Sequence, residues 1–570
     1  MPLERIMIIQ YKDLAGSKTI GPVDVCIIGS GAGGGVMAYY LAKAGFSVVV
    51  LEKGGYFPPA ELGRKEVYML TRIEAPTIFT PATGKYTRIS MLAGECYGGG
   101  TVASDSVTWD FPRVILEDWA KMGLDTFSPE TNPKLEEYRL ELRKLLSVKP
   151  VPIEHLNPSN QLMMIAAERE GLEWKNVERP VEFCFRCGCC AQGCHYGVKK
   201  DAANTFLSWS HKYRTEIYCG AEAKNIKINY PTADDYPYCE KLKNAQGKAR
   251  EDVLRELENQ KGSAPAKFTI TAEISDRKAP LRRDKDKDKK SLIVHARQVV
   301  LSAGPIGNTR VLLRSKINPG NLVGKRFTLH PTSFHFARFP KNIEVRAWDG
   351  ISDAIEVTHY AYFNKDKPYY DPEKHAFYLE NAFSLPWGFA SILPGYGKNL
   401  VDLMNDQNHF AGMQVNVKTD SYGEITEDEV RFDISERDNQ AMIFGTYLVA
   451  RLFFRAGAKE VYIGLPNLLL KSPNQLDEIL NYRYGKARLK QGFMIKQANL
   501  HTGHIFGGVA MGKSRLESFA DQTGECHQIK GLWVADGSAF PTNVGVNPCL
   551  SIMFVARKTA DHFIAKAREP

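Results

Sequence analysis

The segment Val23-Asp24-Val25-Cys26-Ile27-Ile28-Gly29-Ser30-Gly31-Ala32-Gly33-Gly34 decides the fold of this chain. Its first six residues are mostly apolar and predict a buried strand, and its glycines stand in the G-x-G-x-x-G register of a dinucleotide-binding turn. Residues 36–44 predict a helix, and residues 47–51 predict a second strand that ends at Glu52. This order of strand, glycine-rich turn, helix and strand predicts a Rossmann-type α/β unit.

The residues of this unit have separate roles in binding a dinucleotide. Gly31 lets the backbone approach a pyrophosphate, and Gly34 lets the helix pack closely against the strand. Glu52 lies 18 residues after Gly34, near the spacing at which an acid accepts hydrogen bonds from a ribose diol. An acid here disfavours NADP and leaves FAD and NAD open. The predicted cofactor-binding residues of this unit are Gly29, Gly31, Ala32, Gly33, Gly34 and Glu52.

Length and charge narrow the class of protein. The 570 residues are 44% hydrophobic and 24% charged and carry a net charge of +9, which indicates a globular protein of about two domains. The densest charged run, residues 282–290, alternates in sign, as a solvated hairpin tip does, so we expect no nucleic-acid partner. We find no secretory signal and no apolar run of about 18 residues, which predicts a cytoplasmic protein without a transmembrane segment, peripheral to a membrane only through a partner.

Further segments, far apart in the chain, resemble the glucose-methanol-choline (GMC) oxidoreductase family. Gly98-Gly99-Gly100-Thr101 resembles the family's second glycine-rich loop, and residues 299–308 resemble the strand that returns to close its nucleotide domain. Residues 531–538 resemble a flavoprotein strand, and Val544-Gly545-Val546-Asn547-Pro548 resembles the family's catalytic turn. Residues 504–512 are similar to its H-x-x-G-x-x-x-M-G segment. The details look most like the long-chain alcohol oxidase and the gluconate, glucose and fructose dehydrogenase branches, and the implied cofactor is FAD.

The resemblance implies an α/β fold with a Rossmann-like FAD-binding domain assembled from discontinuous segments. An α+β substrate-binding domain with a mixed or antiparallel sheet would complete the chain. The predicted boundaries are 1–124, 200–329 and 495–570 for the FAD-binding domain, with a polar insertion at about 224–292, then 125–199 for a helical, cysteine-rich segment and 330–494 for the substrate-binding domain.

The resemblance also implies further contacts to FAD. One departure is Ser104, which stands where relatives often carry Asn, so a hydrogen bond beside the flavin would differ. The implied FAD-binding residues outside the first unit are Gly98, Gly99, Gly100, Thr101, Ser104, Ala223, Ala303, Gly304, Asp536, Gly537, Asn547 and Pro548.

The family's catalytic pair falls on His504 and Asn547. Oxidation of an alcohol removes a hydroxyl proton and a hydride, and a histidine near its ordinary pKa suits the proton step. The resemblance therefore implies His504 as base and Asn547 as the residue that holds the substrate oxygen. His501 is a decoy, and His330 resembles a family position near the flavin but is more simply a loop histidine.

A compact run of cysteines stands apart from these motifs. Cys184, Cys187, Cys190 and Cys194 have the spacing of a bacterial ferredoxin run, although a histidine and not a proline follows the last one. An iron-sulfur cluster, [3Fe-4S] or [4Fe-4S], is favoured over zinc, and a purely structural run without metal stays open.

A cluster beside a flavin would send electrons to a protein acceptor. The sequence therefore predicts FAD-dependent oxidation of a small-molecule alcohol by a dehydrogenase with an electron-accepting partner protein or subunit. The alternatives are an oxygen-using alcohol oxidase with a structural cysteine segment, and a non-catalytic subunit that binds FAD. The sequence leaves the choice among sugar, polyol, aliphatic, aromatic and hydroxy-acid substrates open.

Overall fold

The computed structural model describes residues 7–568 except 64, 74–79, 230–266, 277–288, 372–373, 384 and 484–491. Most of the polar insertion predicted at 224–292, with nearly all of its alternating charged run, lies outside the described residues. Among those that are described, no helix combines the length and the apolar character that a membrane crossing requires.

The first sheet carries the nucleotide-binding motifs and has eight described strands. Their order is Ile8–Ile9, Glu216–Cys219, Val48–Glu52, Lys18–Ile28, Lys290–Leu301, Phe268–Ile274 and Ala221–Ile228, and Leu532–Val534 also pairs with Lys290–Leu301. The central strands run parallel, and Leu301 is in register with both Ile28 and Val534. The loops that follow these three residues therefore emerge side by side at the carboxyl edge of the sheet, where α/β proteins bind ligands.

Burial explains the central place of these strands. Val25, Val299 and Leu532 are each fully buried, and the strands around them are apolar on both faces. Such strands are stable only with packing on both sides, which is typical of the middle of a parallel sheet. The helices Ala32–Lys43 and Cys549–Arg568 pack together beside it.

The second sheet has twelve described strands, and most of its pairs are antiparallel. Its order is Glu424–Ile425, Val430–Arg431, Ala82–Thr83, Arg88–Met91, Leu500–Thr502, Thr332–Arg338, Phe410–Val417, Phe377–Asn381, Ile355–Val357 and Trp174–Asn176, and Glu460–Tyr462 with Leu469–Leu470 joins at Thr332–Arg338. Three of these strands come from segments predicted for the FAD-binding domain, and the domain boundaries stay predictions.

Two small strand pairs and a set of helices complete the described chain. The pairs are Thr328–Leu329 with Ile505–Phe506 and Val148–Pro150 with Glu178–Pro180. The α-helices are Ala32–Lys43, Glu66–Ile73, Arg113–Lys121, Lys134–Leu145, Pro158–Arg169, Ser208–Ser210, Gly304–Arg314, Pro386–Ile392, Gly397–Asn405, Glu436–Arg455, Asp477–Leu480 and Cys549–Arg568. The first small pair places His330, which follows Leu329, beside His504, which precedes Ile505.

Candidate active site and flavin site

On the side that faces the sheet, the glycine-rich turn is packed too tightly to accept a side chain. A Cβ on Gly33 would lie 1.8 Å from the carbonyl oxygen of Ala535, and a Cβ on Gly34 would lie 2.0 Å from that of Gly29. Real Cβ atoms do not come this close to backbone oxygens, so only glycine permits this packing. Helix Ala32–Lys43 therefore starts directly at the carboxyl edge, with its unpaired N–H groups at the turn.

The same turn is open beside Gly31. Its nearest heavy atom to a built Cβ is the Cα of Gly99, 3.9 Å away, whereas a Cβ on Gly99 would lie 2.8 Å from the Cα of Gly31. The two glycine-rich loops thus cross here, and Gly100 and Gly304 also border open space. A crevice lined by backbone N–H groups at a helix N-terminus suits a pyrophosphate.

Glu52 is connected to both glycine-rich loops. Its Oε2 accepts hydrogen bonds from the backbone N–H of Ser30 at 2.9 Å and from the Ser30 hydroxyl at 2.6 Å, and its Oε1 accepts from the N–H of Gly54 at 2.6 Å. The N–H of Gly98 donates to the Ser30 oxygen at 3.1 Å. Burial raises the pKa of Glu52, and the Ser30 bond opposes that shift. Ser30 is a contact that the sequence reasoning missed.

Asp536 fastens the last strand to the return turn. Its Oδ2 accepts from the N–H of Gly304 at 2.7 Å and from Asn308 Nδ2 at 3.0 Å, and its Oδ1 accepts from the N–H of Ser538 at 2.8 Å. Burial raises its pKa. Both oxygens hold loops of this edge, and the predicted contact of Asp536 with FAD remains a prediction.

The other predicted flavin contacts lie at the same edge or near it. Thr101 and Ser104 line a cavity with Leu550 and Met553, at the start of helix Cys549–Arg568. Thr101 is tied to the backbone through its hydroxyl, which donates to the Gly98 carbonyl at 2.6 Å. The remaining predicted residues are placed as follows: Ala303 caps helix Gly304–Arg314, Gly537 follows Asp536, Pro548 precedes Cys549–Arg568, and Ala223 lies in the edge strand Ala221–Ile228.

His504 lies between the two sheets, directly after strand Leu500–Thr502. Its backbone N–H donates to the Thr502 hydroxyl oxygen at 3.0 Å, and its carbonyl accepts from the N–H of His330 at 2.9 Å. Its Nδ1 is 3.1 Å from Nδ1 of His330. Burial lowers the pKa of His504 to about 4. The expectation of a pKa near the ordinary histidine value is therefore wrong, but the imidazole is neutral at pH 7 and can accept a proton.

Asn547 ends the turn before helix Cys549–Arg568, and two side chains of the second sheet hold its amide. The hydroxyl of Tyr378 donates to Asn547 Oδ1 at 2.7 Å, and Asn547 Nδ2 lies 3.5 Å from Oε1 of Glu380. The rings of Tyr378 and His330 are 5.9 Å apart. His504 and Asn547 are thus brought together through His330 and Tyr378.

Glu380 is a buried carboxyl group next to Asn547. It is fully buried, and its Oε2 accepts from Gln414 Nε2 at 2.7 Å and from Asn416 Nδ2 at 3.1 Å. Burial, with a further contribution from the nearby Glu356, raises the pKa of Glu380 to about 8. At neutral pH this shift favours the protonated form of its carboxyl group.

Sequence reasoning did not assign Tyr378 or Glu380 to the site. The alternation of a strand puts residues two apart on one face, so Phe377–Asn381 does carry a signal that these two side chains act together. Nothing in the sequence indicates that this face meets Asn547. The decoy His501, by contrast, lies on a strand of the second sheet and stacks on Phe334, with ring centroids 4.3 Å apart.

The cysteine run lines one cavity. Cys184, Cys187, Cys190 and Cys194 line it together with Cys189. Within the described ranges, no three or more His, Cys, Asp or Glu side chains are grouped so that they could hold a metal ion. The predicted iron-sulfur cluster therefore has no support, and the assignment of these cysteines as ligands stays a prediction.

Two buried cations explain the local structure of this segment instead. Arg179 Nη2 donates to Cys190 Sγ at 2.8 Å and to the carbonyl of Asp105 at 2.7 Å. Lys199 Nζ donates to the carbonyls of Val102, Ser104 and Cys190 at 2.7, 3.0 and 3.0 Å. The cysteine segment thus supports the end of the second glycine-rich loop.

The residues present fit FAD. The crevice beside Gly31 is backbone-lined and open, Glu52 stands at the end of the second strand, and the cavity at Thr101 and Ser104 continues toward the start of helix Cys549–Arg568. One buried nitrogen, Nε2 of His330, has no hydrogen-bond partner among the described residues, although buried polar atoms are generally paired. Together these features match a long, partly polar cofactor.

Comparison with known proteins finds similar chains over nearly the whole length of this one. Long-chain-alcohol oxidase FAO4B of Arabidopsis thaliana is 27% identical over 543 residues, which cover 94% of this chain and 66% of that protein, so the chain spans just under two thirds of its length. Pyridoxine 4-oxidase from Mesorbium loti has a TM-score of 0.64 at 13% identity and covers 95% of this chain and 99% of its own. Formate oxidase from Aspergillus oryzae has a TM-score of 0.65 at 15% identity and covers 97% and 99%.

Family models match most of the chain. The N-terminal model of the GMC oxidoreductases matches residues 26–332, and the C-terminal model matches residues 414–556. The first match alone covers more than half of the chain and contains both glycine-rich loops, and the second contains His504 and Asn547. The chain therefore belongs to the GMC oxidoreductase family.

Proposed function

We propose that this protein oxidises an alcohol at its CH–OH group with FAD as cofactor. The observation that carries the proposal is the continuous contact of His504, His330, Tyr378 and Asn547 between the two sheets. A neutral base next to an oriented amide is the arrangement that removal of a hydroxyl proton requires. A non-catalytic FAD-binding subunit would not need it.

The protein's own residues have separate roles in binding the substrate, accepting its proton and holding the cofactor. Asn547 Nδ2 donates to the substrate oxygen, and Tyr378 fixes the amide in that orientation by donating to Oδ1. His504 accepts the hydroxyl proton on its Nε2. Glycine-rich backbone and Glu52 hold the nucleotide end of the cofactor. Bound FAD supplies the hydride acceptor at N5.

The pH dependence of kcat/KM should report His504 and Glu380. We expect activity to rise through about pH 4, where His504 loses its proton and becomes a base. We expect it to fall above about pH 8, where Glu380 ionises and competes with substrate for the N–H of Asn547. Steady-state rates from about pH 3 to about pH 10 test both limbs.

The matched control for this profile is Glu380→Gln. A neutral amide resembles the protonated carboxyl, so this variant should keep its activity at pH 7 and lose only the alkaline limb. An alkaline limb that persists in Glu380→Gln would assign it to another group.

The electron acceptor is proposed to be oxygen. The relatives reported above are named as oxidases, and the cysteine segment is engaged with Arg179 and Lys199, so the iron-sulfur relay to a partner protein lacks support. The name of the Arabidopsis relatives further favours long-chain aliphatic alcohols as substrates.

Oxygen uptake tests this proposal. With a series of primary alcohols of increasing chain length, we expect one oxygen consumed and one peroxide formed for each alcohol oxidised. Iron and acid-labile sulfide, assayed on anaerobically purified protein, should be far below one per chain. Turnover only with artificial dyes, together with about three or four irons per chain, would instead establish an iron-sulfur dehydrogenase.

A further inference from the structure

The contact between His330 and His504 decides whether His504 can act as a base. Their Nδ1 atoms are 3.1 Å apart, and the backbone N–H of His330 also donates to the carbonyl of His504. The side chain of His330 is fully buried. Backbone and side-chain bonds therefore hold the two rings in a fixed relation.

Only one proton can lie between the two Nδ1 atoms. Burial lowers the pKa of His504 to about 4 and that of His330 well below its ordinary value, so at pH 7 each neutral ring carries a single N–H. If the shared proton belongs to His330, Nε2 of His504 carries a hydrogen and cannot accept another. If it belongs to His504, Nε2 of His504 keeps its lone pair.

We propose that His330 is a positioning residue for His504: its Nδ1 accepts the Nδ1–H of His504 and fixes the tautomer whose Nε2 is the base. One proton moves from the substrate oxygen to Nε2, and the Nδ1 proton stays on His504. The positive charge that results strengthens the Nδ1–H···Nδ1 bond, as charge-assisted hydrogen bonds are stronger than neutral ones. The inference rests on the base role proposed for His504.

A second observation agrees with this tautomer. In it the hydrogen of His330 lies on Nε2, which is buried and has no partner within the described chain. An unpaired buried donor is costly, so this N–H calls for an acceptor that the described residues do not supply. Flavin carbonyl oxygens and ring nitrogens are acceptors of the required kind.

The tautomer can be read directly by NMR of protein labelled with ¹⁵N-histidine, with and without FAD. His504→Asn assigns the signals of His504. We expect Nδ1–H and an unprotonated Nε2 on His504 in both forms at pH 7. An Nε2–H tautomer in the FAD-loaded protein would overturn the inference.

Two substitutions separate positioning from a merely structural role. His330→Asn can place its amide oxygen near the position of Nδ1 and keep an acceptor, whereas His330→Leu removes it. We expect the rate constant of flavin reduction to stay within about threefold in His330→Asn and to fall about 10- to 100-fold in His330→Leu, the range for loss of a charge-assisted hydrogen bond. Equal rates in the two variants would contradict the inference.

These outcomes are distinguishable from failure of the proposed function. The NMR measurement needs no turnover, and it applies to the unmutated protein even where His330→Leu does not fold. If His504→Ala retained flavin reduction by alcohol, the base role itself would be wrong, whatever the tautomer. If His504 proved essential and carried Nε2–H, the base role of His504 would stand, and only the positioning role of His330 would be wrong.

Discussion

Replacement of His504 by alanine should lower the rate constant of flavin reduction by alcohol about 10²- to 10⁴-fold, the usual contribution of a general base. His504 is partly exposed between the sheets, and its backbone bonds to Thr502 and His330 do not depend on the side chain. We therefore expect the fold and FAD content to be unchanged. Stopped-flow absorbance of the flavin under anaerobic conditions measures the rate.

The matched control for that experiment is His501→Ala. His501 lies three residues earlier, and its ring stacks on Phe334. We expect the His501→Ala variant to be somewhat less stable than the unmutated protein. Its rate constant of flavin reduction should fall less than tenfold. If His501→Ala lowered the rate constant as much as His504→Ala does, the effect of both substitutions would come from disturbed packing and not from the loss of a base.

The second large effect is expected at Gly31. Its φ of −66° suits alanine, and the added Cβ meets no atom closer than 3.9 Å, so Gly31→Ala should fold with an unchanged melting temperature in the absence of FAD. The methyl group would enter the crevice between the two glycine-rich loops. A misfit of one methyl group costs about 1–3 kcal/mol, which corresponds to about 5- to 150-fold weaker binding of FAD. Titration of the apoprotein with FAD measures it.

Gly33→Ala is the informative contrast. Its Cβ would lie 1.8 Å from the carbonyl oxygen of Ala535, so helix Ala32–Lys43 would have to move away from the last strand. We expect destabilisation of roughly 4 kcal/mol or more, the range of severe core defects, and little folded protein. Normal FAD affinity in Gly31→Ala would show that the cofactor does not pass beside this glycine.

The sequence was sufficient for the first nucleotide unit because its determinants are local. Strand, turn, helix and acid all fall between Val23 and Glu52, and each has a short-range reason for its conformation. The surroundings of Asn547 could not be predicted in this way. Tyr378 and Glu380 are more than 160 residues away, and their position depends on how strand Phe377–Asn381 pairs with Phe410–Val417.

The cysteine run shows that a local sequence pattern can also be insufficient. Its spacing matches that of a ferredoxin, but spacing does not determine where the thiols point. Arg179 precedes the run and Lys199 follows it, and their hydrogen bonds to Cys190 and to the second glycine-rich loop determine the local structure. A cysteine that contacts a buried cation and a cysteine that binds a metal ion can have the same spacing in the sequence. Spacing alone therefore does not distinguish them.

The pairing of Leu532–Val534 with Lys290–Leu301 also has a consequence for how the protein matures. The crevice for the cofactor is walled by Gly33 against Ala535 and by Gly304 against Asp536, so its last wall is about 500 residues downstream of its first. During synthesis, the N-terminal unit leaves the ribosome long before this wall exists. Tight capture of flavin must therefore be a late event, and nascent chains halted before residue 532 should emerge without it.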